Sequence, residues 1–265
     1  TLGPAWATEN WTYENGNIDE GVAFSVFCAP EDYTYVPDDN FEQALIDLGY
    51  DDVLNDFVLT ENISSVTSLD VGAKQISDLT GIEDFTALTD LNCTSNQLTS
   101  LDVSNNTALT LLNCNSNQLT SLDVSSNPTL TRLEGNNNQL TYLNMKNGVT
   151  DQLDYFNVTG NSSLTCIETL DPDYATTNWT SDNGNIDAGV TFDVICGAEA
   201  QTHWYVATTG SDVQGSGTLE SPLANIQTGI NATTENDTVS VAAGTYVENI
   251  NFSGKSIAVI GEDRE

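Results

Sequence analysis

The chain has 265 residues, with 5 Lys+Arg against 39 Asp+Glu and a formal net charge of −34 at pH 7. So few cations exclude most nucleic-acid binders and argue against docking on an anionic membrane surface, because both partners present phosphates that Lys and Arg must meet. No apolar run of about 20 residues is available to span a bilayer, and Thr1-Leu2-Gly3-Pro4 carries neither the basic nor the apolar region of a signal peptide.

Hydrophobic residues make up 38%, and Asn, Thr, Ser and Asp fill the shortfall. That composition predicts a repetitive β-rich protein rather than a compact enzyme. The acidic excess keeps an extended protein soluble and suits a salty or calcium-containing outside medium, where self-repulsion is screened. Cation binding is the functional alternative to that reading.

In chain order, residues 7–28 come first, and they recur at 175–196 with an offset of 168 and 15 of 22 positions identical. Pro37-Asp38-Asp39-Asn40 then opens a helical stretch over 41–48, ended by Gly49. Phe41, Ala44, Leu45 and Leu48 share one face of it. Residues 66–71 and 76–82 read as first, irregular coils.

A regular array follows. Leu91-Asn92-Cys93, Leu112-Asn113-Cys114 and Leu133-Glu134-Gly135 recur with a period of 21, and between them run Leu101-Asp102-Val103, Leu122-Asp123-Val124 and Leu143-Asn144-Met145. Asn-Gln-Leu-Thr follows at 96–99, 117–120 and 138–141. Alternation in Leu-x-(Val/Cys) puts both apolar side chains on one face of a short strand. One coil cannot bury its own apolar face, so stacking must make the core. Asn96, Asn117 and Asn138 are expected to stack in register, each amide bonding the backbone of a neighbouring coil. The nested half-units predict two strand-like segments per coil, on opposite sides. An irregular copy at 153–161 and 164–167, displaced by an insertion near Asn147-Gly148, marks the end of the array.

These motifs resemble the leucine-rich-repeat family, with Leu-x-x-Leu-x-(Leu/Val/Cys)-x-x-Asn in common. The nested 21-residue form resembles a subclass from secreted Bacteroidetes-type proteins, and the helix at 41–48 resembles the entry cap of internalin-like surface proteins. The second copy of the duplicated segment follows the array and is read as its exit cap. By the same logic the first copy would close an earlier array, making the chain a piece of a longer tandem protein.

Beyond the array, Ser221-Pro222 is read as the N-cap and first position of a short helix. Residues 237–246 and 250–261 are read as strands separated by Gly turns. This stretch resembles the entry cap and first coils of a right-handed, pectate-lyase-like parallel β-helix. The expected fold is therefore mainly β with a few short helices: a leucine-rich-repeat solenoid followed by the truncated first coils of a right-handed β-helix. The expected divisions are 1–31 (exit cap of a preceding array), 32–90 (N-terminal cap and irregular coils), 91–170 (solenoid), 171–200 (exit cap) and 201–265 (start of the β-helix).

His203, placed in the linker before the β-helix, is the only histidine; a catalytic triad or a His-rich metal site is not expected, and His203 is read as structural or incidental. Alternating oxygens in Asn15–Gly21 and Asn183–Gly189 hint at calcium. Their glycine falls one position late for an EF-hand, and position 12 is Val26 or Val194, so a tight turn is the preferred reading and no cofactor is expected. The outward strand positions Asn92, Thr94, Asp102, Ser104, Asn113, Asn115, Asp123, Ser125, Glu134, Asn136 and Asn144 are the ligand-facing candidates. No Trp, Arg or aromatic cluster occurs among them, so either the ligand is polar, such as a glycan or mineral, or the stretch is a spacer. Thr columns at 89, 110, 131 and at 99, 120, 141 can suggest an ice-matching surface, but β-propensity and local bonding account for them too. Sequons such as Asn10, Asn62, Asn105 and Asn178 arise by chance in a chain so rich in Asn and Thr.

Of the five cysteines, Cys93 and Cys114 occupy one inward position of successive coils and are expected as buried thiols. Cys166 in the last coil and Cys196 at the end of the exit cap are expected to form a disulfide that staples the cap over the core. Cys28 would then be left without its partner. An intracellular origin would leave all five reduced.

The expected function is a non-enzymatic extracellular or cell-surface module of a large bacterial protein, monomeric, binding a protein or glycan ligand, without nucleic acid or membrane insertion. Two alternatives stand beside it. The repeats could be the targeting arm of a polysaccharide-active β-helix enzyme (lyase or hydrolase) with catalytic coils beyond residue 265, or they could be a spacer.

Overall fold

The computed structural model describes residues 32–198 and 201–262. The first copy of the duplicated segment and Cys28 lie outside the described residues.

The entry cap is built around one helix. β1 (Tyr33–Tyr35) pairs antiparallel with β2 (Phe57–Leu59), and α1 (Asp39–Leu48) lies between them in the chain, with the short α2 (Thr60–Ile63) after them. Asp38 is the N-cap: its Oδ1 accepts the N–H groups of Asn40 and Phe41. Its Oδ2 accepts Ser77 N–H, Ser77 O–H and Asp78 N–H, which ties the helix start to the first coil. Gly49 ends the helix in the left-handed region at φ +83°. Phe41, Ala44 and Leu45 are buried as the periodicity requires, but Leu48, in the last turn beside the Gly49 cap, stays 45% exposed. The buried stripe is thus one turn shorter than the sequence suggests. Glu42 is buried instead, with its carboxylate accepting the N–H groups of Asn55, Asp56 and Phe57; these bonds offset part of its desolvation, which still pushes the carboxyl above its ordinary value.

Two parallel sheets then run along opposite sides of the coils. The first contains β3 (Ser68–Asp70), β4 (Asp90–Asn92), β5 (Leu111–Asn113), β7 (Arg132–Glu134) and β9 (Tyr155–Asn157), in that order. The second has the order β11-β10-β8-β6, from β6 (Ser121–Asp123), β8 (Tyr142–Met145), β10 (Cys166–Thr169) and β11 (Thr191–Asp193). The 21-residue spacing appears as register: Leu91, Leu112 and Leu133 are direct partners, and Phe156 continues the row. Leu98, Leu119 and Leu140 fill the interior between the sheets, each contributing about 1.5–3 kcal/mol of burial.

Asn ladders satisfy the turns between strands. Asn117 Nδ2 donates to the carbonyls of Cys93 and Cys114, and its Oδ1 accepts Leu98 N–H. Asn96, Asn138 and Asn161 repeat the arrangement one coil apart. The residue before each ladder Asn is left-handed: Ser95, Ser116, Asn137 and Gly160, at φ of +56, +56, +55 and +74°. Only at residue 160 is glycine demanded by space as well, since a Cβ there would lie 2.6 Å from Asn137 Oδ1. The Thr columns have a structural use: Thr110 Oγ1 donates to Thr89 O, Thr131 Oγ1 to Thr110 O, and Thr141 Oγ1 to Thr120 O.

The array closes at α3 (Pro172–Asn178), capped by Asp171 Oδ1 accepting Tyr174 N–H. Trp179 plugs the core end, 4.3 Å from the Phe156 ring and 5.7 Å from that of Phe192. Asp187 accepts the N–H groups of Gly160 and Asn161 with its two oxygens, and Asn185 Nδ2 donates to Phe156 O. These side chains of the Asn183–Gly189 loop bind the cap to the last coil. Cys166 and Cys196 are disulfide-bonded, while Cys93 and Cys114 are buried thiols.

The remaining unit has a parallel three-stranded sheet, β12 (His203–Val206), β13 (Thr238–Val241) and β14 (Ala258–Gly261), with α4 (Ile226–Ala232) packed on it. Two expectations need correction here. His203 is the first residue of a strand, not part of a linker. Ser221-Pro222 does not start the helix: Pro222 O accepts Ser211 N–H, and Leu223 bridges to Val206. The helix starts five residues after Ser221, at Ile226, where the Glu248 carboxylate accepts the N–H groups of Ile226 and Gln227. That long-range anion serves the orphan donors and the positive end of the helix dipole. Lys255 closes the other end, donating to the carbonyls of Ile230, Asn231 and Thr233. The strands expected over 237–246 and 250–261 shrink to four residues each. Two core clusters result: one from Val36 to Ile186, and a second in which Val194 joins Trp204, Val206, Leu223 and Val239.

Candidate binding faces

The outward side chains of the first sheet form two columns. Ser68, Asp90, Leu111, Arg132 and Tyr155 are register partners, as are Asp70, Asn92, Asn113, Glu134 and Asn157. Alternation explains this: the residues on either side of each inward Leu both point out. Arg132 stands at the centre of interest. Its Nε donates to Glu134 Oε1 at 2.8 Å, and its guanidinium lies 4.4 Å from the Tyr155 ring centroid. Cation–π contact and ion pair hold both large side chains in place. Leu111 is the neighbour of Arg132 in its column, and the rest of this side is amide, carboxylate and hydroxyl: Asn92 Nδ2 donates to Asp70 Oδ1, Thr94 O–H to Asn115 Oδ1, and Asn115 Nδ2 to Asn113 Oδ1.

The second sheet presents different chemistry. Ser121 pairs with Tyr142, and Asp123, Asn144, Glu168 and Asp193 form the next row. Lys146 Nζ sits 2.8 Å from Glu168 Oε2, with both side chains nearly buried. Glu168 also accepts the Tyr142 hydroxyl and Cys196 N–H. Burial, then the charge and hydrogen bond of Glu168, push the Tyr142 phenol well above its ordinary range. Hydrogen bonds from the Ser104 side chain and N–H hold the Asp102 carboxyl below its ordinary value.

The ligand-facing candidates therefore do not form one surface. Asn92, Thr94, Asn113, Asn115, Glu134 and Asn136 belong to the first side, and Asp102, Ser104, Asp123, Ser125 and Asn144 to the second. Asn144 is not a presented group at all: it is buried, with Nδ2 on Asp123 and Oδ1 accepting Lys146 N–H. The absence of Arg and aromatics holds only for the position after each inward Leu. Arg132 and Tyr155 occupy the position before it, and the same alternation that selected Glu134 selects them.

Elsewhere, His203 Nε2 lies 2.8 Å from Ser240 Oγ, and its ring is 4.8 Å from that of Tyr205. Among the described residues, Asp39, Glu42 and Asp56 form one carboxylate group with ligand atoms within 4.8 Å of one another. Glu42 in that group is already engaged by three backbone N–H groups.

Parallel sheets on opposite sides of a 21-residue coil, Leu inside and Asn ladders at the turns, define a leucine-rich-repeat solenoid, mainly β with a few short helices. No family model matches the chain. Its sequence is similar to Internalin J of Listeria monocytogenes serotype 4b (strain F2365), at 40% identity over 72 residues, covering 27% of this chain and 8% of that protein. The chain thus matches less than a tenth of that curated relative's length. Among solved structures, it is similar to the functional domain of InlJ from Listeria monocytogenes, which includes a cysteine ladder (23% identity, 87% of this chain, 61% of that one, TM-score 0.38). It is also similar to the internalin inlF of the same species (16% identity, 86% and 70% covered, TM-score 0.37). No helix among the described residues is long and apolar enough to cross a membrane.

Proposed function

We propose that this chain is a non-enzymatic recognition module of a bacterial cell-surface or secreted protein, and that it binds a protein ligand through the first sheet. The observation that carries this reading is the Arg132–Tyr155 pair. Arg and Tyr, with Trp, are the side chains that most often anchor interfaces, and here they are pre-ordered on a rigid sheet beside Leu111 and a row of small polar groups. The 72-residue similarity to Internalin J, a Listeria protein, supports a bacterial origin. The Cys166–Cys196 disulfide supports an oxidising, extracellular setting. Parallel pairing of β12, β13 and β14 supports reading the C-terminal unit as the first coils of a right-handed β-helix, an appended domain with the solenoid as its recognition arm. A monomer suits a chain whose high net charge opposes self-association.

The test is a binding screen of the fluorescent chain on arrayed extracellular proteins, run beside Arg132→Ala and Tyr155→Ala. A protein bound by the native chain should lose at least tenfold in affinity with either variant, or about 1.4 kcal/mol. Equal binding by all three chains, or no protein bound by any, removes the reading and leaves a spacer.

A further inference from the structure

A cavity of about 820 Å³ lies on the other side of the molecule, between the second sheet and the 213–216 loop of the C-terminal unit. We propose that it is a second binding site, for a short neutral oligosaccharide. Its walls come from two units that are fastened together. Asn231 Nδ2 donates to Leu170 O, Val194 packs into the C-terminal core, and the Cys166–Cys196 bond and the Glu168 contact to Cys196 N–H hold Cys196 on the last coil. The volume falls within the range of about 300–1,000 Å³ common for small-ligand sites.

The chemistry selects the ligand by elimination. Lys146 is neutralised by Glu168, so the floor offers no free cation, while Asp102 and Asp123 leave the groove net negative. Anions are thereby disfavoured. Ser100, Ser104, Ser121 and Ser125 line the groove beside Leu101, Ile195 and Val213, so its surface is mixed rather than the predominantly apolar wall a lipid-like tail needs. What fits is a ligand rich in O–H donors and acceptors with a flat C–H face. Asp123 uses Oδ1 for Ser125 N–H and Oδ2 for Asn144 Nδ2, and Asp102 uses Oδ1 for Ser104 N–H. A carboxylate has about four lone-pair sites, so both retain acceptor capacity for sugar hydroxyls. Tyr142 supplies the flat surface: it is 39% exposed, and its hydroxyl is tied to Glu168, so the ring is oriented before a ligand arrives. The buried ion pair is thus a positioning device for the ring. A basic peptide would meet the same acceptors; β8 and β10 are paired along both edges, which leaves the short edge strand β6 as its one possible strand partner, and the titration below includes that ligand.

The test is calorimetric titration of the full chain with cellohexaose, maltohexaose, mannohexaose and xylohexaose, and with oligolysine as the basic alternative. At least one hexaose should bind, with an affinity unchanged by added salt. Tyr142→Ala should weaken it at least tenfold, and Asp123→Asn, which keeps the shape of the groove, should weaken it several-fold. Thermal melts of each variant establish that it is folded. No hexaose binding up to about 10 mM, a regime weaker than −3 kcal/mol, overturns the proposal. So does salt-sensitive binding of oligolysine alone, which would assign the groove to a basic peptide. Hexaose binding that survives both substitutions overturns the location. Because the groove and the Arg132 side lie on different sheets, either site can fail without the other.

Discussion

Lys146 Nζ and Glu168 Oε2 are 2.8 Å apart, with side chains only 4% and 9% exposed. A buried pair of this kind adds little net stability, because desolvation offsets the Coulomb gain. Removing one partner is different, since it leaves the other charged and unpaired. Lys146→Met should cost about 3–5 kcal/mol at neutral pH. The double variant Lys146→Met, Glu168→Leu should lose less than the sum of the single changes. Urea unfolding of the four chains checks this; additive losses below about 1 kcal/mol would show that the pair is solvated.

The ladder Asn117 makes a second prediction. Its replacement by Ala leaves the carbonyls of Cys93 and Cys114 and the N–H of Leu98 without these partners. Each such buried group costs about 1–3 kcal/mol, so Asn117→Ala should lose about 3 kcal/mol or more. Asn117→Asp should be at least as harmful, because it keeps the acceptor but sets an anion against two carbonyls. Asn115→Ala, in the same turn but half-buried, should cost under about 1 kcal/mol. Equal effects at 115 and 117 in denaturant melts would deny the ladder its role.

Much of this was legible in the sequence, and the limits have physical causes. The 21-residue period carries the two sheets, the Asn ladder and the inward Leu rows, because each coil repeats the same burial problem. Asp38 and Gly49 mark the cap helix because N-cap and C-cap chemistry is local. Alternation marks Arg132 and Tyr155 as outward, but that they meet was not legible. Tyr155 follows Arg132 by 23 residues, since an insertion shifts the last coil out of period, so the column joining them emerges only with the register. Likewise Lys146 and Glu168, or Glu248 and the start of α4, meet through tertiary packing that no spacing rule encodes.

Asp38 supplies a prediction with a pH signature. Partial burial pushes its carboxyl up, but hydrogen bonds from the Ser77 side chain and from the N–H groups of Ser77, Phe41 and Asp78 outweigh that and hold it below the ordinary value of 3.8. A depressed carboxylate contributes stability above its unfolded pKa and loses it as pH falls through the folded pKa. Asp38→Ala should therefore cost about 2 kcal/mol at pH 7, combining the lost cap with the lost tie to the first coil. The gap between variant and native chain should be constant down to about pH 5 and close below 3.8. Melting temperatures across that range provide the check, and a gap that widens in acid would reverse the sign argued here.

The cysteines separate two kinds of burial. Cys93 and Cys114 pack inside successive coils; desolvation pushes the Cys114 thiol up to about 12 and that of Cys93 well above its usual range, with the neighbouring Cys114 adding to the latter. At pH 8 both thiols are therefore protonated, and the core blocks access to them. Native chain should resist iodoacetamide at both positions and be labelled there only on unfolding. The Cys166–Cys196 bond closes a 30-residue separation over the core end that Trp179 plugs. Its reduction should cost about 3–4 kcal/mol in the chain-entropy picture and expose the last coil before the first, because the cap ladder through Asn185 and Asp187 depends on the segment it anchors. Hydrogen exchange on oxidised and reduced chain should show protection lost first around Phe156 and Leu164, with Leu91 and Leu112 retained. Uniform loss across all coils, or peptide mapping that joins Cys166 to Cys93 or Cys114, would overturn the stapled-cap account.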